Sequence, residues 1–251
     1  MKEHVILYYF SATGNTSVIV NRISEYLIHN DFEVIIAPIE DGVLTLSQPH
    51  RIIFAFPANS QAIPLFVWKF FKSLPKGGMQ KVALLVTLNE STYIMKPLRT
   101  LLRRKGYSAC LTFSIQMPNN MLMTPIDVMD DKNRLQRAFH QADEFTQRFV
   151  SGEDYYHTDF EGSRFVSFLT RRTGLPIFFM RFFFKLSTDK DLCLNCGQCI
   201  HGCPVQNIQE GFPPRHKNKC DFCMRCAAQC PEKAIYIIGK EHITIRKTNE
   251  N

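Results

Sequence analysis

Eight of the nine cysteines fall into two copies of one pattern, and no other feature constrains the fold of the C-terminal third as strongly. Each copy reads C-x-x-C-x-x-C-x-x-x-C-P, and the second copy follows the first at an offset of 27 residues. Three evenly spaced thiols can surround one corner of a metal cluster, so a fourth ligand must come from elsewhere. The first copy comprises Cys193, Cys196, Cys199 and Cys203, and the second comprises Cys220, Cys223, Cys226 and Cys230.

Zinc sites and disulfides are the two other common uses of clustered cysteines. Zinc sites usually combine paired C-x-x-C units and often His, whereas each run here has three evenly spaced thiols and a fourth before Pro204 or Pro231. Disulfide frameworks are typical of exported chains, and the apolar run that ends at Phe10 is too short for a signal peptide. No apolar stretch reaches the roughly 18 residues that a membrane span needs. The sequence therefore favours a metal cluster and predicts a cytoplasmic protein.

The double run resembles the ligand pattern of bacterial two-cluster ferredoxins, in which the fourth Cys of each run serves the other cluster. The resemblance implies two [4Fe-4S] clusters that are tied together by crossed ligation. It assigns Cys193, Cys196, Cys199 and Cys230 to one cluster, and Cys220, Cys223, Cys226 and Cys203 to the other.

Strands and helices are predicted to alternate over residues 1–150. The continuous apolar run from Val5 to Phe10 predicts a buried strand, and a helical pattern follows a short polar turn. This alternation indicates a parallel sheet with helices on both faces. Further strands are predicted at 32–37, 51–56, 82–88 and 109–116, and further helices at 65–74, 95–105 and 131–150.

The polar turn after the first strand has the composition of a phosphate-binding loop. It reads S-A-T-G-N-T and lies between a strand and the N-terminus of a helix, where backbone N–H groups and the helix dipole favour an anion. The loop has no Lys, which suits a phosphate monoester. The candidate binding residues are Ser11, Thr13, Gly14, Asn15 and Thr16.

This loop resembles the FMN phosphate loop of flavodoxins, S/T-x-T-G-x-T. Residues 1 to about 240 resemble a fusion family that joins a flavodoxin-like domain to a two-cluster ferredoxin, and Q-M-P-N-N-M at 116–121 is similar to the M-P-x-N segment of that family. The resemblance implies a doubly wound, parallel five-stranded α/β sheet in the order 2-1-3-4-5, followed by a small α+β ferredoxin domain. FMN would lie beyond the carboxyl ends of strands 1, 3 and 4.

The loops that would enclose the flavin ring depart from the flavodoxin pattern. The loop after the third strand has no aromatic residue, and the loop after the fourth has no glycine. Tyr93 either stacks on the ring or begins the next helix. FMN is therefore expected, and the alternative is a phosphate loop on a domain that binds no flavin. The candidate ring-site residues are Pro57, Ala58, Asn59, Ser60, Thr87, Leu88, Asn89 and Tyr93.

Charge and composition divide the rest of the chain. The net charge is +7, and residues 162–186 contain five Lys and Arg but no acidic residue. We predict a flavodoxin-like domain at 1–150, a basic aromatic connector at 151–186, a ferredoxin domain at 187–240 and a tail at 241–251. The connector aromatics are interpreted as docking the ferredoxin domain onto the sheet, with a redox-partner surface or a membrane-surface helix as alternatives. No nucleic-acid-binding motif accompanies the bases.

These features predict an electron-transfer protein that serves a redox partner and connects two clusters to FMN. One alternative is a flavin-dependent reductase of a small substrate, although the sequence has no dinucleotide fingerprint and no evident acid–base pair. The other is a ferredoxin whose sheet domain only docks a partner. The sequence does not indicate the oligomeric state.

Overall fold

A computed structural model describes residues 2–44, 50–58, 62–89, 93–120, 128–156, 163–238 and 248. Across these ranges, no helix has both the length and the apolar character that a bilayer span requires. Of these, the residues up to 156 build a parallel sheet with helices on both faces, and residues 186–238 build a much smaller α+β unit.

The sheet has the strand order β2-β1-β3-β4-β5-β6, and all of these neighbours are parallel. The predicted order 2-1-3-4-5 is confirmed. A sixth strand adds to it at the β5 edge, where Tyr155 pairs with Leu111; a strand of only two residues has no periodic pattern by which it could be predicted. The strands are β1 (His4–Tyr9), β2 (Glu33–Pro38), β3 (Arg51–Pro57), β4 (Gln80–Leu88), β5 (Tyr107–Gln116) and β6 (Tyr155–Tyr156).

Two apolar cores lie on the two faces of this sheet. Successive strand side chains point to opposite faces, so Ile6 and Tyr8 belong to one core while Val5 and Leu7 belong to the other. Because both faces are covered, the central strands are apolar throughout rather than alternating. Helices α1 (Asn15–His29) and α4 (Val128–Ser151) cover one face, and α2 (Leu65–Ser73) and α3 (Met95–Arg104) cover the other.

The connector folds into a hairpin of two short helices, α5 (Arg164–Thr173) and α6 (Leu175–Phe183). Gly174 joins them in the left-handed conformation, with φ of 65°, which suits glycine. The interpretation of the connector aromatics as a docking core is wrong for most of them, because six of its phenylalanines are exposed. They are Phe165, Phe168, Phe178, Phe179, Phe182 and Phe183.

The C-terminal unit combines two small antiparallel ribbons with two short helices. Its own apolar core includes Leu186, Ile208, Ala227 and Ile235. The elements are β7 (Leu186–Thr188), α7 (Gln198–His201), β8 (Ile208–Gln209), β9 (Arg215–His216), α8 (Arg225–Gln229) and β10 (Ile235–Ile237), with β7 paired to β10 and β8 paired to β9.

Candidate functional site

The two cysteine runs adopt the same backbone conformation at the same 27-residue offset. Three pairs of equivalent positions have positive φ values between 50° and 74°. Five of these six residues are not glycine, although left-handed backbone is unfavourable for residues with a Cβ. The recurrence of this conformation shows that both runs impose one specific loop. The pairs are Asn195 and Phe222, Gly197 and Met224, and Gln206 and Lys233.

This loop conformation aims backbone N–H groups at the thiols. Four amides donate to cysteine sulfurs at N···S distances of 3.2–3.4 Å. Hydrogen bonds of this kind stabilise a thiolate over a thiol and tune the potential of a metal cluster bound by it. The four donors and acceptors are Asn195 to Cys193, Asn207 to Cys203, Phe222 to Cys220, and Ala234 to Cys230.

The outer cysteine group consists of Cys193, Cys196, Cys199 and Cys230, which line a single cavity. Apolar side chains such as Ile235 complete its wall. Cys196 is exposed, and the neighbouring Leu194 has 66% of its surface open to solvent. A group bound in this cavity would therefore lie close to the protein surface.

The inner cysteine group consists of Cys203, Cys220, Cys223 and Cys226. Desolvation by burial raises the pKa of Cys220 to about 11 and that of Cys223 to about 12, and it raises the pKa of Cys226 well above its ordinary value. Repulsion among these four thiols adds to the effect. Cys223 also packs against the core between the sheet and α2, so the inner group adjoins the sheet domain.

The donors in both groups fit iron–sulfur chemistry. Thiolates are soft ligands that favour iron–sulfur clusters and zinc, and the N–H donors directed at them supply the hydrogen bonds that clusters use. The high pKa values of the inner thiols mean that metal binding there must release protons. The structure therefore brings together two sets of four thiols, and each set includes the fourth cysteine of the opposite run.

Arg225 connects the inner group to the sheet domain. It lies between Cys223 and Cys226 at the start of α8, and its guanidinium donates to the Ser11 carbonyl at 2.9 and 3.1 Å. The same guanidinium pairs with Glu40 and lies 4.4 Å from the ring centroid of Phe10. Sequence analysis missed this residue, because nothing in its local pattern distinguishes it from a surface arginine.

A second contact joins the inner group to α2. The Asp221 carboxylate accepts from the Phe66 amide at 2.9 Å and pairs with Arg181 of α6 at 3.3 Å. Burial is the largest influence on this carboxyl and raises its pKa, while the amide and Arg181 oppose that rise. The connector, the inner group and the sheet domain therefore meet around one buried carboxylate.

The predicted phosphate loop lies at the carboxyl edge of the sheet, between β1 and α1. Gly14 caps α1 in the left-handed region with φ of 98° and has no side chain to satisfy the helix amides. Thr16 is buried, and its hydroxyl hydrogen-bonds the Thr87 hydroxyl at 2.8 Å. The Ser11 hydroxyl accepts from the Ser17 amide at 3.1 Å. The Ser11 hydroxyl therefore supports the start of α1, and the Thr16 hydroxyl ties the loop to β4.

Asn120 and Thr248 hold the other side of this loop. The Asn120 side-chain nitrogen lies 2.9–3.1 Å from four acceptors that share its two N–H groups: the Thr13 carbonyl, the Thr13 hydroxyl, the Asn15 side-chain oxygen and the Thr248 hydroxyl. The Thr248 amide donates to the Thr13 carbonyl at 2.9 Å. A Cβ on Gly14 would lie only 2.3 Å from the Thr248 carbonyl oxygen. Thr248 thus lies directly against the phosphate loop.

The residues predicted to enclose the flavin ring lie in several different environments. Ala58 and Leu88 are buried, and the Ala58 amide donates to the Thr87 carbonyl at 2.8 Å. Asn89 accepts from Arg134 through its side-chain oxygen at 3.2 Å. Tyr93 precedes α3, and its ring lies 5.5 Å from the Arg164 guanidinium. Pro57 ends β3, whereas Asn59 and Ser60 lie outside the described residues.

Comparison with known proteins identifies the C-terminal unit. Residues 185–231 match the family model of the 4Fe-4S dicluster domain. Together with the flavodoxin-like strand order, this match shows that the chain combines a flavodoxin-like domain with a ferredoxin-type iron–sulfur domain.

Individual relatives cover only parts of the chain. A ferredoxin of Pyrobaculum islandicum is 36% identical over 54 residues, which make up 20% of this chain and 50% of that protein. The pyruvate synthase subunit PorD of Methanothermobacter marburgensis is 40% identical over 55 residues, 21% of this chain and 63% of that protein. The chain thus spans half to just under two thirds of these curated relatives. The flavodoxin of Megasphaera elsdenii overlaps 55% of this chain and 98% of its own at 24% identity, with a TM-score of 0.41.

Proposed function

We propose that this chain transfers electrons between a redox partner protein and FMN through two [4Fe-4S] clusters. The observation that carries the proposal is the position of the inner cysteine group: Cys223 packs into the core of the sheet domain, and Arg225 binds the first residue of the phosphate loop. When bound, the clusters carry single electrons and FMN exchanges one or two. In this proposal the outer group would receive electrons near the surface, and the inner group would pass them toward the loop that begins at Ser11.

The proposed ligands follow the grouping described above. The outer group would hold one cluster within an accessible cavity, and Cys196 and Leu194 make this the natural face for a partner. The inner group would hold the second cluster in a drier environment. Crossed ligation by Cys203 and Cys230 ties the two halves of the domain together, so neither half should fold well without metal. The match to a pyruvate synthase subunit supports a protein partner for this domain.

The proposed FMN site uses the loop from Ser11 to Thr16. Support comes from the left-handed Gly14 at the start of α1 and from the order of the strands, which places this loop at the switch point between β1 and β3. Thr248 lies against the same loop, so phosphate binding would compete with the Thr248 contact. Tyr93 is the one aromatic among the proposed ring-site residues, and its ring already contacts Arg164.

Cofactor content of anaerobically purified protein tests this function. We expect two clusters and one FMN per chain after reconstitution. Cys230→Ala should remove the signal of the outer cluster and leave that of the inner one, because Cys230 lines the outer cavity. Loss of the inner cluster alone would contradict the crossed ligation.

The flavin part of the proposal has its own test. Thr248→Pro removes the amide that donates to the Thr13 carbonyl, so we expect it to tighten FMN binding. The matched control is the conservative Thr248→Ser. If wild type, Thr248→Pro and Thr248→Ser all bind no FMN while both clusters are present, the flavin site is wrong and the iron–sulfur function stands.

A further inference from the structure

The α5–α6 hairpin has an inverted distribution of polar and apolar residues. Helix α5 buries Ser167 and Thr170, which are 0% and 3% exposed, while Phe165 and Phe168 are 72% and 55% exposed. In a surface helix of a globular protein the apolar face normally packs inward. The polar side chains inside are satisfied, since Ser167 donates to the Tyr93 carbonyl and Thr170 donates to the Val166 carbonyl at 2.9 Å. The hairpin can therefore bury its polar face and expose its aromatic face without leaving these two hydroxyls unpaired.

Helix α6 continues the same exposed aromatic surface. Ile177 faces inward and is 9% exposed, whereas Phe182 and Phe183 are 76% and 65% exposed. The exposed rings contact one another in pairs, with centroids 6.0 Å apart for Phe178–Phe179 and 5.2 Å apart for Phe182–Phe183. Large exposed apolar patches mark protein or membrane interaction sites.

The helices on this side of the molecule are strongly basic. Helices α2, α3, α5 and α6 together contain ten Lys and Arg and no Asp or Glu. Helices α1 and α4 on the opposite face contain five bases and five acids. The hairpin adjoins α2, because the Arg171 guanidinium lies 5.4 Å from the Trp68 ring and Gly174 approaches Leu65.

Most of these bases are available to a partner. Seven of the ten are exposed, and they are Lys69, Lys72, Lys96, Arg103, Arg104, Arg164 and Arg172. Asp221 is an acid next to the hairpin, but its side chain is only 5% exposed and is already paired with Arg181. The exposed aromatic surface thus lies beside a field of positive charge.

We propose that this face binds the surface of an anionic lipid bilayer. Short helices that carry exposed phenylalanines together with Lys and Arg, and that contain no Asp or Glu themselves, have the composition of helices that lie in the membrane interface. Anionic headgroups would complement the basic helices, and the acyl boundary would accept the exposed rings. The α1–α4 face, with equal numbers of bases and acids in its two helices, lacks this combination of positive charge and exposed rings. The electron-transfer domain would then be held at the membrane by a surface contact.

Vesicle co-sedimentation of the anaerobically prepared full chain tests this proposal. We expect the protein to bind vesicles that contain phosphatidylglycerol and to bind pure phosphatidylcholine vesicles far more weakly. Phe165→Ser with Phe182→Ser should weaken binding at least about tenfold, because two exposed rings can no longer enter the interface. The matched control is Ile28→Ser on α1, an exposed apolar residue at 57% on the opposite face, which should leave binding unchanged.

A second pair of variants tests whether the basic residues contribute to vesicle binding. Lys72→Glu with Arg103→Glu should reduce binding to anionic vesicles, whereas Lys132→Glu on α4 should not. Iron content and cluster absorption confirm that each variant is folded. No binding of the wild type to anionic vesicles would overturn the proposal. It would equally be overturned if the aromatic surface proved to join two copies of the chain, with the double Phe variant converting a dimer to a monomer and vesicles having no effect.

Discussion

Arg225 offers the sharpest test of how the iron–sulfur domain is attached to the sheet domain. Its side chain and that of Glu40 are only 13% and 19% exposed, so replacing Arg225 leaves a mostly buried carboxylate without its partner. Breaking a buried ion pair in this way costs about 3–5 kcal/mol. Because both side chains keep some contact with solvent, we expect Arg225→Met to lower the free energy of unfolding by about 3 kcal/mol. Methionine keeps apolar contact with the Phe10 ring, so little of this loss reflects packing.

A double-mutant cycle separates the ion pair from the other contacts. Glu40→Met alone leaves the mostly buried Arg225 without its carboxylate, but the guanidinium keeps its bonds to the Ser11 carbonyl, so the variant should cost about 2–3 kcal/mol. The double variant should cost clearly less than the sum of the two single variants, because no unpaired buried charge remains.

Urea unfolding of holoprotein provides the measurement. Fluorescence of Trp68, the only tryptophan, reports on the sheet domain, and cluster absorption reports on the iron–sulfur domain. Arg215→Met, at an exposed position in the same domain, is the control. Additive costs for Arg225→Met and Glu40→Met would refute the reasoning.

Three further substitutions probe the rest of the structure. Burial, with a smaller contribution from Lys185, lowers the pKa of His216 to about 4. The protein should therefore lose about 3 kcal/mol of stability as the pH falls from 6.5 toward 4, because the unfolded state takes up the proton first. Urea unfolding should show that His216→Gln flattens this pH dependence; equal slopes for the variant and the wild type would contradict the prediction. Ser167→Ala should cost about 1–3 kcal/mol by leaving the Tyr93 carbonyl without its donor, whereas the exposed Thr173→Ala should cost less than about 0.5 kcal/mol. Gly14→Ala should destabilise the protein more than Gly42→Ala. Both glycines have a positive φ, but only at Gly14 would the added Cβ clash with a neighbouring group, the Thr248 carbonyl oxygen. Equal losses of stability in the two variants would show that the Thr248 contact contributes nothing.

The sequence predicted the regular parts of this chain because their signals are local and periodic. Apolar runs located the five main strands, and the 27-residue offset of the cysteines matched an equal offset in the positive-φ positions. The sixth strand was missed because two adjacent tyrosines carry no periodicity. The exposed phenylalanines were misinterpreted for a related reason: helical spacing identifies an apolar face but not the direction in which it points. The inward Ser167 and Thr170 were the available signal.

Contacts between residues that are far apart in the sequence could not be predicted from such local patterns. Arg225 and Ser11 are 214 positions apart in the sequence, and neither residue is unusual in its local context. Asn120 lies in the 116–121 segment, which resembles the M-P-x-N segment of the fusion family. Its role in holding the phosphate loop follows only from its contact with Thr13 in the folded structure. Thr248 reaches the loop from near the end of the chain, and only the folded structure relates the two.

The position of Arg225 predicts that the proposed inner-cluster site and the proposed FMN phosphate loop are energetically coupled. The residue lies between two proposed ligands of the inner cluster, and the backbone that presents it is left-handed at Met224, with φ of 64°. Metal binding stabilises such a loop, because an iron–sulfur domain of this size depends on its metal for folding. Loss of the cluster would therefore loosen the guanidinium that binds the Ser11 carbonyl and pairs with Glu40. Since coupling between two sites is reciprocal, a ligand that orders the phosphate loop must strengthen retention of the inner cluster by the same free energy.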